Sequence, residues 1–320
     1  MTRITTPFDA SSIAAEVLQG VDLRGVRILV TGGASGIGAA TTEALVRAGA
    51  SVVIAVRNLT QGLTAVERLR SIIDCADVHA RSLDLADQDS VATFLAEWAG
   101  PLHVVIGNAG VMATPEIRTN EGWELQFATN HLGHHALITG LRDALTAGAA
   151  DRGEFSRVVI VSSAGHHTSG INFDDVMFER RPYDPWVAYG QSKTANALFA
   201  VEASCRWRED AIVANAAHPG SILTDLSRHL SHEQALAIGI VRADGTPAEG
   251  FKTPEQGAAT SVLLAASPSV DGVSGRYFED CAEAIPATDD VPLVGVQPWA
   301  QDPIAAKRLW DFSEALLTTS

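Results

Sequence analysis

Tyr189 and Lys193 stand four positions apart in a chain with only three tyrosines, Tyr183, Tyr189 and Tyr277, and three lysines, Lys193, Lys252 and Lys307. Chance gives such a pair with a probability of about 0.03, so the spacing is informative. On a helix, positions i and i+4 share a face, and the ammonium can stand near the phenol. A nearby cation favours phenolate, which predicts a Tyr189 pKa below the usual value of about 10. Such a group suits proton transfer near neutral pH. The plainer reading is a cation–aromatic pair on a helix surface.

A second cluster is Thr31-Gly32-Gly33-Ala34-Ser35-Gly36-Ile37-Gly38, between an apolar run and an Ala/Leu-rich stretch. Glycines let a backbone turn sharply and approach a pyrophosphate, and a following helix offers free N–H groups to it. The spacing is T-G-x-x-x-G-x-G rather than G-x-G-x-x-G, and a tight turn without a ligand is the rival. Arg57 directly follows a second apolar run, and no acid occurs before Glu67. At that place an acid binds the 2′-hydroxyl of NAD, whereas Arg accommodates the 2′-phosphate of NADP. The pair of signals favours NADP(H) over NAD(H).

These residues need a scaffold, and the chain supplies an alternation. Strand-length apolar runs occur at Arg27–Thr31, Ser51–Val56, Leu102–Gly107, Arg157–Ser162 and Ala211–Ala216, with a weaker one at Asp77–Leu83 and a late one at Gly275–Phe278. Helix-like stretches lie between them at Gly38–Ala48, Gln88–Trp98, Asn120–Leu141 and Tyr189–Trp207. Strands alternating with helices predict a parallel sheet covered on both faces. The expected fold is α/β: one doubly wound domain over 1–320, with about seven mostly parallel strands and an N-terminal extension over 1–24. Residues 164–187 and 221–250 break the alternation, and each follows a strand. Ligands bind beyond the carboxyl ends of strands in such sheets, so both segments are expected as substrate-side loops.

Composition narrows the function classes. The 320 residues are 46% hydrophobic and 19% charged, enough to build a large core and to exclude bulk disorder. A net charge of −15 repels phosphate backbones, so no nucleic-acid partner is expected. No apolar run approaches the ~20 residues of a membrane helix, and Met1–Gly20 does not read as a signal peptide. Cys75, Cys205 and Cys281 are scattered and give neither a disulfide framework nor a metal pattern. The expectation is a soluble cytoplasmic protein without a membrane partner.

Taken together, the motifs resemble the short-chain dehydrogenase/reductase family, over about residues 25–280. Thr31, Gly32, Gly36 and Gly38 match its glycine pattern, and Asp84-Leu85 match its adenine-contacting pair. Gly107-Asn108-Ala109-Gly110 match its N-N-A-G motif, with Gly107 in place of the first asparagine. Asn130 and Ser163 match its catalytic asparagine and serine, and Tyr189 and Lys193 its Y-x-x-x-K. Pro219-Gly220 and Thr224 match the P-G-x-x-x-T that holds the nicotinamide carboxamide. Longer segments are most similar to the retinol dehydrogenase, WW-domain oxidoreductase and protochlorophyllide reductase group. They are Asn108–Met112, Asn130–His135, Val161–His167, Gly275–Phe278 and the 26-residue step from Ser163 to Tyr189.

The resemblance implies an oxidoreductase of the Rossmann type. Hydride passes between a nicotinamide and a carbonyl carbon, and Tyr189 gives or takes the proton. Ser163 holds the same oxygen as charge grows on it. Ser162 is the alternative, and a strand ending one residue earlier would exchange the two. By resemblance Lys193 grips the nicotinamide ribose and Asn130 holds a relay water. The two loops suggest a bulky apolar carbonyl or alcohol. The lack of an apolar span like the N-terminal membrane helix of many retinol dehydrogenases argues against a membrane-held lipid. The rivals are a C=C (enone) reductase and a non-catalytic NADP(H) sensor. Family subunits often pair through the helices around Asn130 and Tyr189, which implies a homodimer or homotetramer. His131, His134 and His135 have helical spacing but no accompanying ligand pattern, so no metal is expected. His166 and His167 begin a loop and have no assigned role. Trp186 and Tyr183 suit either a pocket wall or plain packing.

Overall fold

A computed structural model describes residues 3–319 apart from 224, 225, 227–232, 234, 235, 237–240, 243, 247 and 249. Its centre is one sheet. The strands are β1 (Arg27–Thr31), β2 (Ser51–Val56), β3 (Val78–Ser82), β4 (Val104–Gly107), β5 (Ser156–Val161), β6 (Ile212–His218), β7 (Tyr277–Glu279) and β8 (Ala282–Glu283). Their order is β3-β2-β1-β4-β5-β6-β7-β8. All neighbours are parallel except β7 and β8.

Seven strands fall where the apolar runs predicted them. The eighth is a two-residue return after Asp280 (φ 49°) and Cys281 (φ 59°). Two central residues with positive φ make a tight hairpin turn, which is usually written with Asn or Gly. Asp-Cys carries no such signal.

Successive strand residues point to opposite faces, and here both faces are apolar. Ile28, Val30, Val52 and Ile54 meet helices α1 (Ala14–Val17), α2 (Gly36–Arg47) and α3 (Leu59–Ile72) on one side. Leu29, Val53 and Ala55 meet α4 (Gln88–Ala96) on the other. The expected single helix over 120–141 is instead three pieces. Glu124 caps α5 (Leu125–Phe127), accepting from the N–H groups of Gln126 and Phe127. A π-helical turn, Ala128–Leu132, follows, and then α6 (Gly133–Gly140). Such turns widen the ladder and are frequent at functional sites.

After α7 (Arg142–Arg152) comes α8 (Pro185–Arg206), which starts one turn earlier than Tyr189. Asp184 sets that start by accepting from Trp186 N–H and Val187 N–H, and Pro185 suits a first helical position. Next are α9 (Pro254–Ala266), on the α1 and α2 side, and α10 (Pro303–Thr319). Ala306, Leu309 and Trp310 of α10 pack on Ala195, Leu198 and Phe199 of α8. With the sheet on one side and α10 on the other, α8 is buried without interruption from Ala188 to Ala200.

The two expected loops fare differently. Val176, Met177 and Phe178 of 164–187 are buried, so that segment is anchored rather than open. Most of 221–250 lies outside the described residues. The N-terminal extension runs beside β8, where Glu283 N–H donates to Ile4 O at 2.9 Å.

Candidate active site

The carboxyl ends of β1, β4, β5 and β6 converge at one end of the sheet. Thr31 closes β1, and its hydroxyl accepts from Asn108 N–H at 2.9 Å and Ala109 N–H at 3.0 Å. Asn108 Nδ2 returns a bond to Thr31 O at 2.9 Å. The turns after β1 and β4 are thus laced together. A Cβ on Gly38 would stand 2.2 Å from Gly32 O, so only glycine lets α2 begin this close to the loop.

A cleft opens beside this turn. Gly32, Ser35, Gly36, Ile37 and Gly38 form one wall. Arg57, Asp84 and Leu85 stand at the β2 and β3 end, and Asn108, Ala109 and Gly110 form the β4 side. Arg57 is exposed and makes no ion pair among the described residues. Asp84 Oδ1 accepts from Ala86 N–H at 3.0 Å, and Asp84 N–H donates to Ser90 Oγ at 2.9 Å, which fixes that corner. A glycine cradle, a helix N-terminus and an uncompensated arginine fit a phosphorylated dinucleotide. Thr129 also lines the cleft, and its Oγ1 is buried with no hydrogen-bond partner among the described residues.

Past the β4 side lies the polar cluster. Ser163 Oγ accepts from Gly165 N–H at 3.0 Å and stands beside Tyr189, whose ionised form it favours. Lys193 Nζ lies 5.7 Å from the centre of the Tyr189 ring and donates to Val161 O at 3.0 Å. Asn130 is fully buried in the π-helical turn. Its amide accepts from Val111 N–H at 2.8 Å and donates to Val111 O and Ser192 Oγ, each at 2.9 Å. The structure therefore brings Asn130, Ser163, Tyr189 and Lys193 to one end of the sheet. Pro219 and Gly220 follow β6 at the same end, and Thr224 lies outside the described residues.

β5 ends at Val161, one residue before the expected end, yet the two serines do not exchange places. Ser162 N–H still donates to Ala217 O at 2.8 Å, so the pleat continues beyond the strand. Ser162 consequently turns into the core, donating to Lys193 O at 2.8 Å. Ser163 turns to Tyr189.

The expected lowering of the tyrosine pKa does not occur in the isolated chain. Burial pushes Tyr189 up to about 12, and the neighbouring Ser163 hydroxyl offsets only part of that. Burial also pulls Lys193 down to about 8. The ammonium points to Val161 O rather than the phenol, so desolvation outweighs attraction.

The histidines divide by partner. His131 bonds Ser313 Oγ at 2.8 Å. His134 bridges Thr31 and Asn130. His135 packs edge-on against Trp310 and Phe199, with both ring nitrogens unpartnered among the described residues. No metal-binding group of His, Cys, Asp or Glu occurs among the described residues. His166 lies at 2.7 Å from Ser163 O through Nδ1 and accepts from Gln297 N–H through Nε2. A carbonyl only accepts and an N–H only donates, so His166 is a neutral imidazole with its proton on Nδ1. His167 meets Gly295 O at 3.0 Å. The C-terminal segment is thereby clasped to the turn that carries Ser163.

Tyr183 is held by Gln126 Nε2, Thr114 O and Glu124 Oε1, at 2.9, 3.1 and 3.1 Å, and so belongs to a packed network. Trp186 meets the Tyr189 ring edge-on, centroids 6.5 Å apart. One contact was not read from the sequence: Gly165 lies against Tyr189, where a Cβ would stand 2.6 Å from Cε1. Its signal was the small residue two positions after Ser163.

The family model described as short chain dehydrogenase matches residues 27–235. A "Probable oxidoreductase" of Streptomyces lividans is 50% identical, with 93% of this chain and 99% of that protein covered. "Retinol dehydrogenase 14" of Homo sapiens is 36% identical, covering 92% and 87%, in keeping with the retinol dehydrogenase likeness of the longer segments. Among solved structures, the Pseudomonas aeruginosa RhlG/NADP active-site complex superposes with a TM-score of 0.62 at 25% identity, covering 81% and 96%. No helix among the described residues is long and apolar enough to cross a membrane.

Proposed function

This chain belongs to the short-chain dehydrogenase family of oxidoreductases, and from that premise we propose that it is an NADP(H)-dependent enzyme acting on a bulky apolar carbonyl or the matching alcohol. The observation that carries this reading is the meeting of Ser163 and Tyr189 beside the glycine-lined cleft.

Gly32, Ser35, Gly36, Ile37 and Gly38 cradle the pyrophosphate, with Thr31 fixing the loop from behind. Arg57 takes the 2′-phosphate, and Asp84 and Leu85 flank the adenine. Asn108, Ala109 and Gly110 support the ribose side, and Pro219, Gly220 and Thr224 the nicotinamide amide. NADPH, when bound, supplies the hydride for the carbonyl carbon. Tyr189 keeps its proton at neutral pH because burial raises its pKa to about 12, and donates it to the substrate oxygen. Ser163 holds that oxygen while negative charge develops. Lys193 orients the ribose and, with Asn130, resupplies the proton through water.

The Trp186 ring beside Tyr189 supports an apolar substrate. We read the chain as a single cytoplasmic domain. α10 lies along α8, where Ala306 and Leu309 meet Ala195 and Leu198, and covers that face of the helix.

Calorimetric titration with NADPH and NADH tests the cofactor assignment, and equal affinities would contradict it. Product analysis on an enone tests the reaction. An unsaturated alcohol supports carbonyl reduction, and a saturated ketone would make the chain a C=C reductase.

A further inference from the structure

The geometry points to His134 as a positioning residue that closes a hydrogen-bonded ring around the Asn108–Val111 segment and couples the glycine-rich loop to Asn130. The ring is continuous. Thr31 Oγ1 accepts from Asn108 N–H and Ala109 N–H at one end of the segment. At the other end Val111 exchanges two bonds with the Asn130 amide. His134 joins the two anchors, with Nε2 at 2.9 Å from Thr31 Oγ1 and Nδ1 at 2.9 Å from the Asn130 backbone oxygen. Thr31, Asn130 and His134 are all buried.

The protons in this ring can be assigned. A backbone oxygen only accepts, so Nδ1 carries a proton. The Thr31 hydroxyl oxygen already accepts two N–H bonds and has one proton left to give. The competing acceptor, Ile106 O, is 3.5 Å away, so that proton goes to Nε2. An imidazolium would put a third donor on that oxygen. His134 is therefore the neutral Nδ1–H form. Gly107 makes room for it, since a Cβ there would stand 3.1 Å from His134 Cδ2.

The coupling follows from what each anchor does. Thr31 opens the loop beside the cleft, and Asn130 sits among the residues assigned to proton supply. Without His134, each anchor would hold its end of the segment alone. A movement of Thr31 on dinucleotide binding would then no longer reach the Asn130 carbonyl. This inference rests on the activity proposed above.

The first test is 15N NMR of the histidine-labelled full chain at pH 7, with His134→Asn identifying the resonance. Nδ1 protonated and Nε2 unprotonated is expected. Nε2–H or an imidazolium at His134 overturns the ring, whether or not the chain is active.

The second test separates the two arms. His134→Asn keeps a donor for Asn130 O but loses the acceptor for Thr31. His134→Gln can keep the acceptor and loses the donor. His134→Asn should weaken NADPH binding about tenfold, with kcat held within about threefold, the worth of one hydrogen bond. His134→Gln should lower kcat about tenfold, with NADPH binding within about threefold. Wild-type values for both kcat and Kd in both variants would overturn the coupling. A wild-type chain that neither binds NADPH nor turns over contradicts the proposed activity instead, and the NMR result still decides the ring.

Discussion

Lys193 carries its ammonium 5.7 Å from the centre of the Tyr189 ring, one helical turn away, and directs an N–H to Val161 O rather than to the phenol. Both groups are buried, and burial acts on them in opposite senses. It raises Tyr189 to about 12 and lowers Lys193 to about 8.

The cofactor-free chain should therefore show no tyrosinate where an exposed tyrosine ionises. All three tyrosines are shifted upward by burial. Absorbance near 295 nm should stay flat through pH 10 (the ordinary midpoint) and rise only on unfolding or above about pH 11. A single tyrosinate appearing between pH 7 and 9 would mean that Lys193 outweighs burial. The linkage signs differ for the two groups. Between about pH 8 and 10.5 the unfolded chain holds the Lys193 proton and the folded chain does not, so this contribution to stability rises with pH. Between about pH 10 and 12 the folded chain keeps the Tyr189 proton longer, so that contribution falls.

Arg57→Asp should turn the cofactor preference toward NAD(H). The arginine is exposed in the cleft with no acidic partner among the described residues. Losing a charge-assisted bond to a phosphate costs about 1.5–3 kcal/mol, roughly 10- to 100-fold in NADPH Kd. An unchanged NADPH/NADH affinity ratio would remove Arg57 from the site.

Gly165→Ala should damage catalysis although Gly165 has no assigned catalytic or cofactor role. The new methyl would stand 2.6 Å from Tyr189 Cε1, so the ring must move. Overpacking of this kind costs about 1–3 kcal/mol of stability. A phenol displaced by about 1 Å can lose up to ~100-fold in rate. We expect kcat to fall at least tenfold with NADPH Kd unchanged, and wild-type kcat would show that the ring tolerates the methyl.

Acid should unfold the chain through its buried histidines. His134 and His166 are lowered to about 4, His135 and His218 to about 3, each chiefly by burial. From pH 6.5 down to 4 the unfolded chain binds more protons than the folded one, so stability falls as pH falls. His135 also leaves two ring nitrogens without partners among Phe199, Trp310 and His131. His135→Phe removes that cost, about 1 kcal/mol or more. It should raise the urea midpoint at pH 7 and extend stability toward acid. A lower midpoint at pH 7 would show that the imidazole is worth more than a phenyl ring there.

Much of this site was legible because its motifs are local. Strand ends and the glycine turn put Thr31, Gly32 and Asn108 in place, and the spacing of four put Tyr189 and Lys193 on one helix. What stayed hidden depends on distant parts of the chain. The direction of the Lys193 ammonium is set by Val161 on another element, so spacing alone predicted the wrong sign for Tyr189. The π-helical turn around Asn130 reads as an ordinary helix in sequence, and α10 carried no motif to announce it. His134 looked like one of three spaced histidines, and only Thr31, 103 residues away, gives it a role.

Turnover by Tyr189→Phe beside wild type tests the central claim most directly. NADPH oxidation would be followed against bulky ketones, aldehydes and enones, with NADPH binding measured in parallel. The variant loses one hydroxyl from a buried ring and keeps every residue that lines the cleft. We predict a wild-type Kd for NADPH in the variant and a kcat lower by at least about 100-fold, in the range expected for a general acid. Wild-type turnover in Tyr189→Phe would contradict the account.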